Sequence, residues 1–297
     1  MSKMSRRAHQ KPARWGSTAR FNPRAFRERV TNYILLTVMA LFVLFPLYWM
    51  LNTSFKSQAE SMWIPPSMFP SNFTVEAYQS IFVLFPMGSY FFNTLKLSTI
   101  STIIGVFMST MSAYGISRFR FPGRGAFLSF LLITQMFPSI MMLIPYYSIL
   151  ARLNLLDSHE GMLILYSVGG VAMCTWLMKG YFDTIPLSLD EAARIDGASA
   201  IRIFIQIAMP LALPGLAATI IYGFLSHWNE YQMAMISLKS DRMKTLTVGL
   251  ASLHSEYRVS WNEVMAAAFV ASIPLIILFT FCQKYFIASL TAGAVKQ

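Results

Sequence analysis

The chain has 297 residues, of which 55% are apolar and 14% aromatic, and only 12% are charged. That is about half the charged share of a soluble globular protein. The formal net charge of +11 is confined to short stretches, which excludes a soluble enzyme and defines a polytopic membrane protein.

In chain order, residues 1–29 form a basic tail carrying Lys3, Arg6, Arg7, Lys11, Arg14, Arg20, Arg24, Arg27 and Arg29 against Glu28 alone. Six runs without Asp, Glu, Lys or Arg follow, at 30–55, 97–117, 125–151, 161–178, 203–229 and 264–283. A bilayer core needs about 20 helical residues, so each run predicts one span. The first run is too long for a signal-peptide core and lacks a small-x-small cleavage site, so it is expected to stay as span one. Long loops are expected at 52–94 and 230–263. With six crossings, 17 basic and 5 acidic residues fall on one side, and 7 and 8 on the other. The resulting split, +12 against −1, places both termini and the loops 118–124 and 179–202 in the cytoplasm. Anionic lipid, not nucleic acid, accounts for the basic character.

The spans contain no ionisable group in their cores except His227, near an edge, and Lys96 and Glu230 sit at span ends. Ion-coupled transporters bury such groups along their pathways, so any transport by this chain is powered elsewhere. No phosphate-binding loop or hydrolase motif occurs, the four His lie in separate segments, and Cys174 and Cys282 read as small core residues. No metal or cofactor is expected. Pro46, Pro138, Pro145, Pro210, Pro214 and Pro274 predict bends in the spans, and Gly105, Gly169, Gly170, Gly215 and Gly223 predict close helix approaches.

The loop between spans four and five, 183–210, is the most specific segment. Ser188 and Glu191 have capping-box spacing, and Gly197 supplies a C-terminal stop, which predicts a short helix between Ser188 and Gly197. Ser199 is placed to cap a second helix running into span five. A short amphipathic helix bearing Ala192 and Ala193 beside Leu189 and Ile195, with Asp190, Arg194 and Asp196 around them, suits docking into a groove of another protein. Capping chemistry alone leaves equally open that Glu191 only caps a connector.

Glu191-Ala192-Ala193, followed by Gly197, Ile207 and Pro210, resembles the EAA signature (EAA-x3-G-x9-I-x-LP) of binding-protein-dependent ABC importer permeases. Every spacing matches, with Met209 where that family usually has Leu. The likeness extends from about residue 30 onward. Tyr114 with Arg118-Phe119-Arg120-Phe121-Pro122-Gly123-Arg124 is similar to the family's loop after span two, and Trp228-Asn229-Glu230-Tyr231 to the end of span five. The tail Leu290-Thr291-Ala292-Gly293-Ala294-Val295-Lys296 is similar to that of the G-type permease of maltose-type carbohydrate importers, with Ser289 and Gln297 replacing glycines.

The resemblance implies an all-α integral membrane protein with six transmembrane helices in the type I ABC importer permease fold, residues 30–297, in a bacterial or archaeal inner membrane. It implies a second homologous permease subunit, a dimer of cytoplasmic ABC ATPase, an extracytoplasmic solute-binding protein and a sugar substrate as partners. ATP is then hydrolysed by the partner and not by this chain. It makes Glu191, Ala192, Ala193, Arg194, Asp196, Gly197 and Pro210 ATPase-coupling residues, and directs Thr291, Gly293 and Lys296 of the tail to the ATPase. Sugar recognition favours aromatic faces and neutral hydrogen-bonding groups. Gln135, Tyr146, Tyr147, Trp228 and Asn229 are candidate pathway residues on that ground, with Tyr166, Trp176 and Tyr222 also qualifying chemically. Aromatics near span ends also serve as interface anchors. The alternatives are a permease for another solute, such as a polyamine or phosphate ester, and a channel or scaffold. The spans lack the acidic lining a polyamine path would need, and a channel leaves the docking helix unexplained.

Overall fold

The structure, a computed structural model, describes residues 23–83, 85–253 and 260–294, with side chains over 26–83, 85–253 and 260–285. Residues 1–22 of the basic tail therefore lie outside the described residues, and 23–29 form the start of the first helix. The described residues are helical throughout their ordered elements, and the chain divides into two units, 1–49 and 50–297. In the first unit, α1 (Pro23–Ser54) begins and runs through its apolar stretch with Pro46 inside the helix. A helix apolar around its whole circumference suits lipid surroundings.

In the second unit α1 ends, and α2 (Gln58–Ser61) and α3 (Glu76–Val83) follow. The segment between them is closed by its own polar groups. Glu60 accepts hydrogen bonds from the Ser67 hydroxyl (2.8 Å), the Ser71 N–H (2.8 Å) and the Ser71 hydroxyl (3.0 Å). Buried Lys56 donates to the Ser67 carbonyl, and its own carbonyl accepts from Asn262 at 3.2 Å.

α4 (Met87–Arg118) is the axis of this unit. It places residues in all four apolar clusters: Met87 and Tyr90, Leu97, Ala113 and Tyr114, and Ile116. It can do so because one face is small. Ser98, Ser101, Thr102, Gly105, Ser109, Thr110 and Ala113 are buried and let neighbouring backbones come close. A methyl group on Gly105 would sit 3.1 Å from the Ser167 carbonyl oxygen, and one on Gly215 would lie inside the Tyr181 ring at 2.3 Å. Gly223, facing Thr102 at 3.4 Å, and Gly170 make only ordinary contact and Gly169 has open space, so the tight approaches fall at two of the five expected glycines.

Span three is α5 (Arg124–Met136) and α6 (Leu143–Arg152), joined through a 3₁₀ turn at Ser139–Met142 and bent by 94°. Pro138 stands at that break, where its ring disfavours a continuing helix. Span four is α7 (His159–Gly169) and α8 (Val171–Thr184). After α9 (Leu187–Ile195), span five consists of α10 (Ala200–Ile203), a π-helical turn at Phe204–Ala208, α11 (Met209–Leu211) and α12 (Leu213–Trp228), bent by 79°. The helices α13 (Gln232–Ser237), α14 (Leu246–Ser252) and α15 (Trp261–Ala294) complete the chain. Among the described residues four helices are long and apolar enough to cross a membrane, or up to six spans when each bent pair is counted as one.

Candidate functional site

The candidate site is built on α9. The expected capping box does not form. Pro186, with extended backbone (φ −58°, ψ 133°), starts the helix, so Ser188 already lies in its first turn and makes no cap hydrogen bond. Proline suits this N-cap place because the helix makes no use of its missing N–H and its fixed φ fits the extended backbone there. Glu191 is consequently released. It is exposed, and among the described residues its side chain is committed to no hydrogen bond or ion pair.

The other end of α9 is as expected. Gly197 has φ +81°, its N–H donates to the Arg194 carbonyl (3.0 Å), and the Ala198 N–H donates to the Ala193 carbonyl (2.9 Å). These are the two bonds of a Schellman stop, which needs a left-handed residue and so favours glycine. The Ser199 hydroxyl accepts from the Arg202 N–H at 3.3 Å, capping α10 as expected.

Helical spacing sorts the residues of α9 onto two faces. Asp190 and Ala193 point inward and are buried. Leu187, Leu189, Glu191, Ala192, Arg194, Ile195 and Asp196 are exposed, Ile195 at 87%. Ile201 and Ile205 extend this exposed apolar surface onto span five. Together these exposed apolar side chains, ringed by charges and placed beside a sharp stop, make an amphipathic surface at this end of the bundle. Pro210 lies in α11, exposed and away from α9's open face along the chain.

Beneath α9 is a contact the sequence did not reveal. Arg118 Nε, at the end of α4, lies 2.8 Å from Asp190 Oδ2, with the two side chains only 3% and 5% exposed. Arg118 Nη2 also donates to the Ile185 carbonyl (3.2 Å), and the Ser117 hydroxyl donates to Asp183 (2.6 Å). Asp190 accepts no aligned hydrogen bond on either oxygen, so the attraction is ionic. The available signal was positional. Asp190 stands three residues before Ala193, on the small face and not among the exposed charges.

At the opposite end of the bundle, α4 is tied to the segment after span five. Asn93 donates to the Arg242 and Lys244 carbonyls (2.8 and 3.0 Å), and the Leu246 N–H donates to the Thr94 hydroxyl (2.7 Å). His227 is buried between Thr102 (3.1 Å from Nδ1) and the Tyr166 carbonyl, to which Nε2–H donates at 2.9 Å. The Tyr166 ring stacks on it with centroids 5.4 Å apart, and its hydroxyl donates to Glu230 at 2.6 Å. Glu230 also receives the Met233 and Ala234 N–H groups, capping α13. Tyr166 is thus a member of a packed polar chain joining spans two, four and five.

The remaining pathway candidates do not gather around one cavity. Trp228 is 3% exposed, edge-on to Phe91 and stacked on Phe224, and its indole N–H donates to the Ala271 carbonyl (3.2 Å), which makes it a packing residue. Asn229 is exposed and donates to the Leu225 carbonyl (3.0 Å). Gln135 is exposed near the bend of span three, while Tyr146 and Tyr147 are half-buried on α6, with Lys239 Nζ 5.9 Å from the centre of the Tyr147 ring. Trp176 is partly buried and Tyr222 is exposed. A cavity of about 440 Å³ between α4 and span five is lined by Ile103, Val106, Phe107, Met111 and Phe204 among others, and by none of these candidates. Thr291 and Gly293 lie in the last turn of α15, and Lys296 lies outside the described residues.

Residues 101–291 match the model of the family described as "Binding-protein-dependent transport system inner membrane component". The chain belongs to that family. It is 35% identical to the inner membrane ABC transporter permease protein YcjP of Escherichia coli, over 91% of this chain and 97% of that one. It is 34% identical to the maltodextrin transport system permease protein MdxG of Bacillus subtilis, over 91% and 96% of the two chains. A permease chain in the crystal structure of a bacterial ABC transporter involved in the import of the acidic polysaccharide alginate superposes with a TM-score of 0.73. It covers 91% of this chain and 100% of its own, at 27% identity. The type I permease fold expected from the sequence is the fold observed.

Proposed function

We propose that this chain is the permease subunit of an ATP-driven importer for a sugar or oligosaccharide, with α9 as the helix that docks on a partner ATPase. The relatives named for maltodextrin and alginate transport support sugar as the substrate class. The observation that carries the docking reading is the uncommitted, exposed Glu191 on a helix whose apolar residues face outward and whose end is fixed by Gly197. In this reading the α9 end is cytoplasmic, as the charge split requires, and the opposite end, where Asn93 and Thr94 hold the segment 242–246, faces the solute-binding protein. A second permease subunit completes the path. ATP is bound and hydrolysed by the partner, whose closure moves α9 and reorients the spans.

Glu191→Lys and Gly197→Val test this. The first inverts a charge on the docking face, and the second forces a β-branched residue to φ +81°, at a backbone cost of about 1–2 kcal/mol. A Cβ at Gly197 meets no atom of this chain within 4 Å, so the strain within the chain comes from the backbone conformation and not from crowding. Both variants are expected at normal membrane abundance, with sugar uptake lost and ATPase association weakened. Normal uptake in both would overturn the assignment of α9.

A further inference from the structure

We propose that the motion delivered to α9 enters the bundle chiefly through α4, by way of the Arg118–Asp190 ion pair, and not along the chain into span five. The proposal rests on α9 being the docking helix and adds the route by which its motion leaves.

Two routes start at α9. The covalent one runs through α10, and it is broken repeatedly within a few residues. The π-helical turn at Phe204–Ala208, Pro210, the 79° bend at Ala212 and Pro214 all fall on it. Each interrupts the regular i→i−4 ladder, the feature that makes a helix stiff along its axis. A push applied at Gly197 is therefore partly absorbed as bending.

The second route is non-covalent and short. Asp190 is on the inner face of α9 and meets Arg118, the last residue of α4, with both side chains almost fully buried. Around that contact, Arg118 holds the Ile185 carbonyl, Ser117 holds Asp183, and the Tyr114 ring packs against Phe182 (5.5 Å) and Phe204 (4.8 Å). An ion pair this deeply buried is screened far less than an exposed one, so its attraction resists separation. Helix α4 then continues unbroken for 32 residues and contributes to every apolar cluster of the unit. A displacement of its end is thereby passed to spans four and five and, through Asn93 and Thr94, to the segment 242–246 at the far end. Arg118 and Asp190 are positioning residues in this scheme. Neither lies on the exposed face of α9.

The test uses the assembled transporter in proteoliposomes, with uptake and ATP hydrolysis measured on the same sample and normalised to assembled complex. The variants are Asp190→Asn, Arg118→Gln and the apolar pair Arg118→Met/Asp190→Leu, which removes the charges while keeping the volume filled. All three are expected to bind the ATPase as the parent chain does and to hydrolyse ATP, but to move about fivefold or more less sugar per ATP. Unchanged sugar per ATP in the assembled fraction, whether or not abundance falls, would overturn the proposal and leave the pair a structural tie. Glu191→Lys, run in parallel, separates this from the parent reading. If that variant and Gly197→Val both retain ATPase association and uptake, α9 is not the docking helix, whatever the Arg118 variants do.

Discussion

The two ends of the bundle handle carboxylates in opposite ways. At the α9 end, Asp190 is buried against one cation and accepts no backbone N–H. At the other end, Glu60, Asp157 and Glu230 each accept backbone N–H groups. Asp157 Oδ1 takes those of Lys239 (2.8 Å) and Ser240 (2.9 Å), and its Oδ2 takes the Ser240 hydroxyl. The first arrangement joins two helices by charge and depends wholly on that charge. The second shapes loops, with each carboxylate standing in for missing backbone acceptors. One end joins two helices through a buried charge pair, and the other holds its loops in shape through hydrogen bonds to backbone N–H groups.

The largest effect that would sharpen this contrast is expected from Arg118→Leu. It leaves Asp190 buried and unpaired, and loss of one partner of a buried pair costs about 3–5 kcal/mol. Thermal unfolding of the purified transporter should fall clearly, and adding Asp190→Leu should recover most of the loss. A single variant as stable as its parent would show that Asp190 reaches water or another donor.

A smaller and local effect is expected from Asp157→Ala, which deletes the acceptors of three hydrogen bonds at a partly exposed site, about 1 kcal/mol. Amide exchange at Lys239 and Ser240 should speed up while exchange in the spans does not. The pH dependence has a definite sign. Hydrogen bonds from Ser240, hydroxyl first and N–H second, hold the Asp157 carboxyl below its ordinary range. A group with a lowered folded pKa stabilises above its unfolded value of about 3.9, and that stability is lost as pH falls through the folded value. Protection at Lys239 and Ser240 should therefore be flat from neutral pH down to about 4 and vanish only below it. Loss of protection well above that point would break the assignment of Asp157 as their acceptor.

The smallest change is expected from Ser199→Ala. It removes the α10 cap at an exposed position, about 0.5 kcal/mol, and should leave uptake near the parent level. A large loss of uptake would mean that the covalent route through α10 is stiffer than its breaks indicate.

Much of this was legible in the sequence because it rests on local chemistry. Charge-free runs mark spans wherever the surroundings are lipid, and Gly197 and Ser199 mark the turn because a left-handed stop and an N-cap are decided by one or two residues. The same reasoning misplaced the start of α9. Ser188 and Glu191 have capping spacing, but Pro186 begins the helix first and Glu191 is left free. Trp228 has the chemistry of a sugar-facing ring, and only packing against Phe91 and Phe224 shows it to be enclosed.

The sequence by itself determined the number of spans, their charge asymmetry and the place of the α9 turn and stop, since each follows from hydropathy, counting or residue spacing. Tertiary structure alone decided which charges are buried, and that Arg118 meets Asp190 across 72 residues of chain. Those features depend on two separated segments being brought within a few ångströms, and the small face of α4 is what allows that approach.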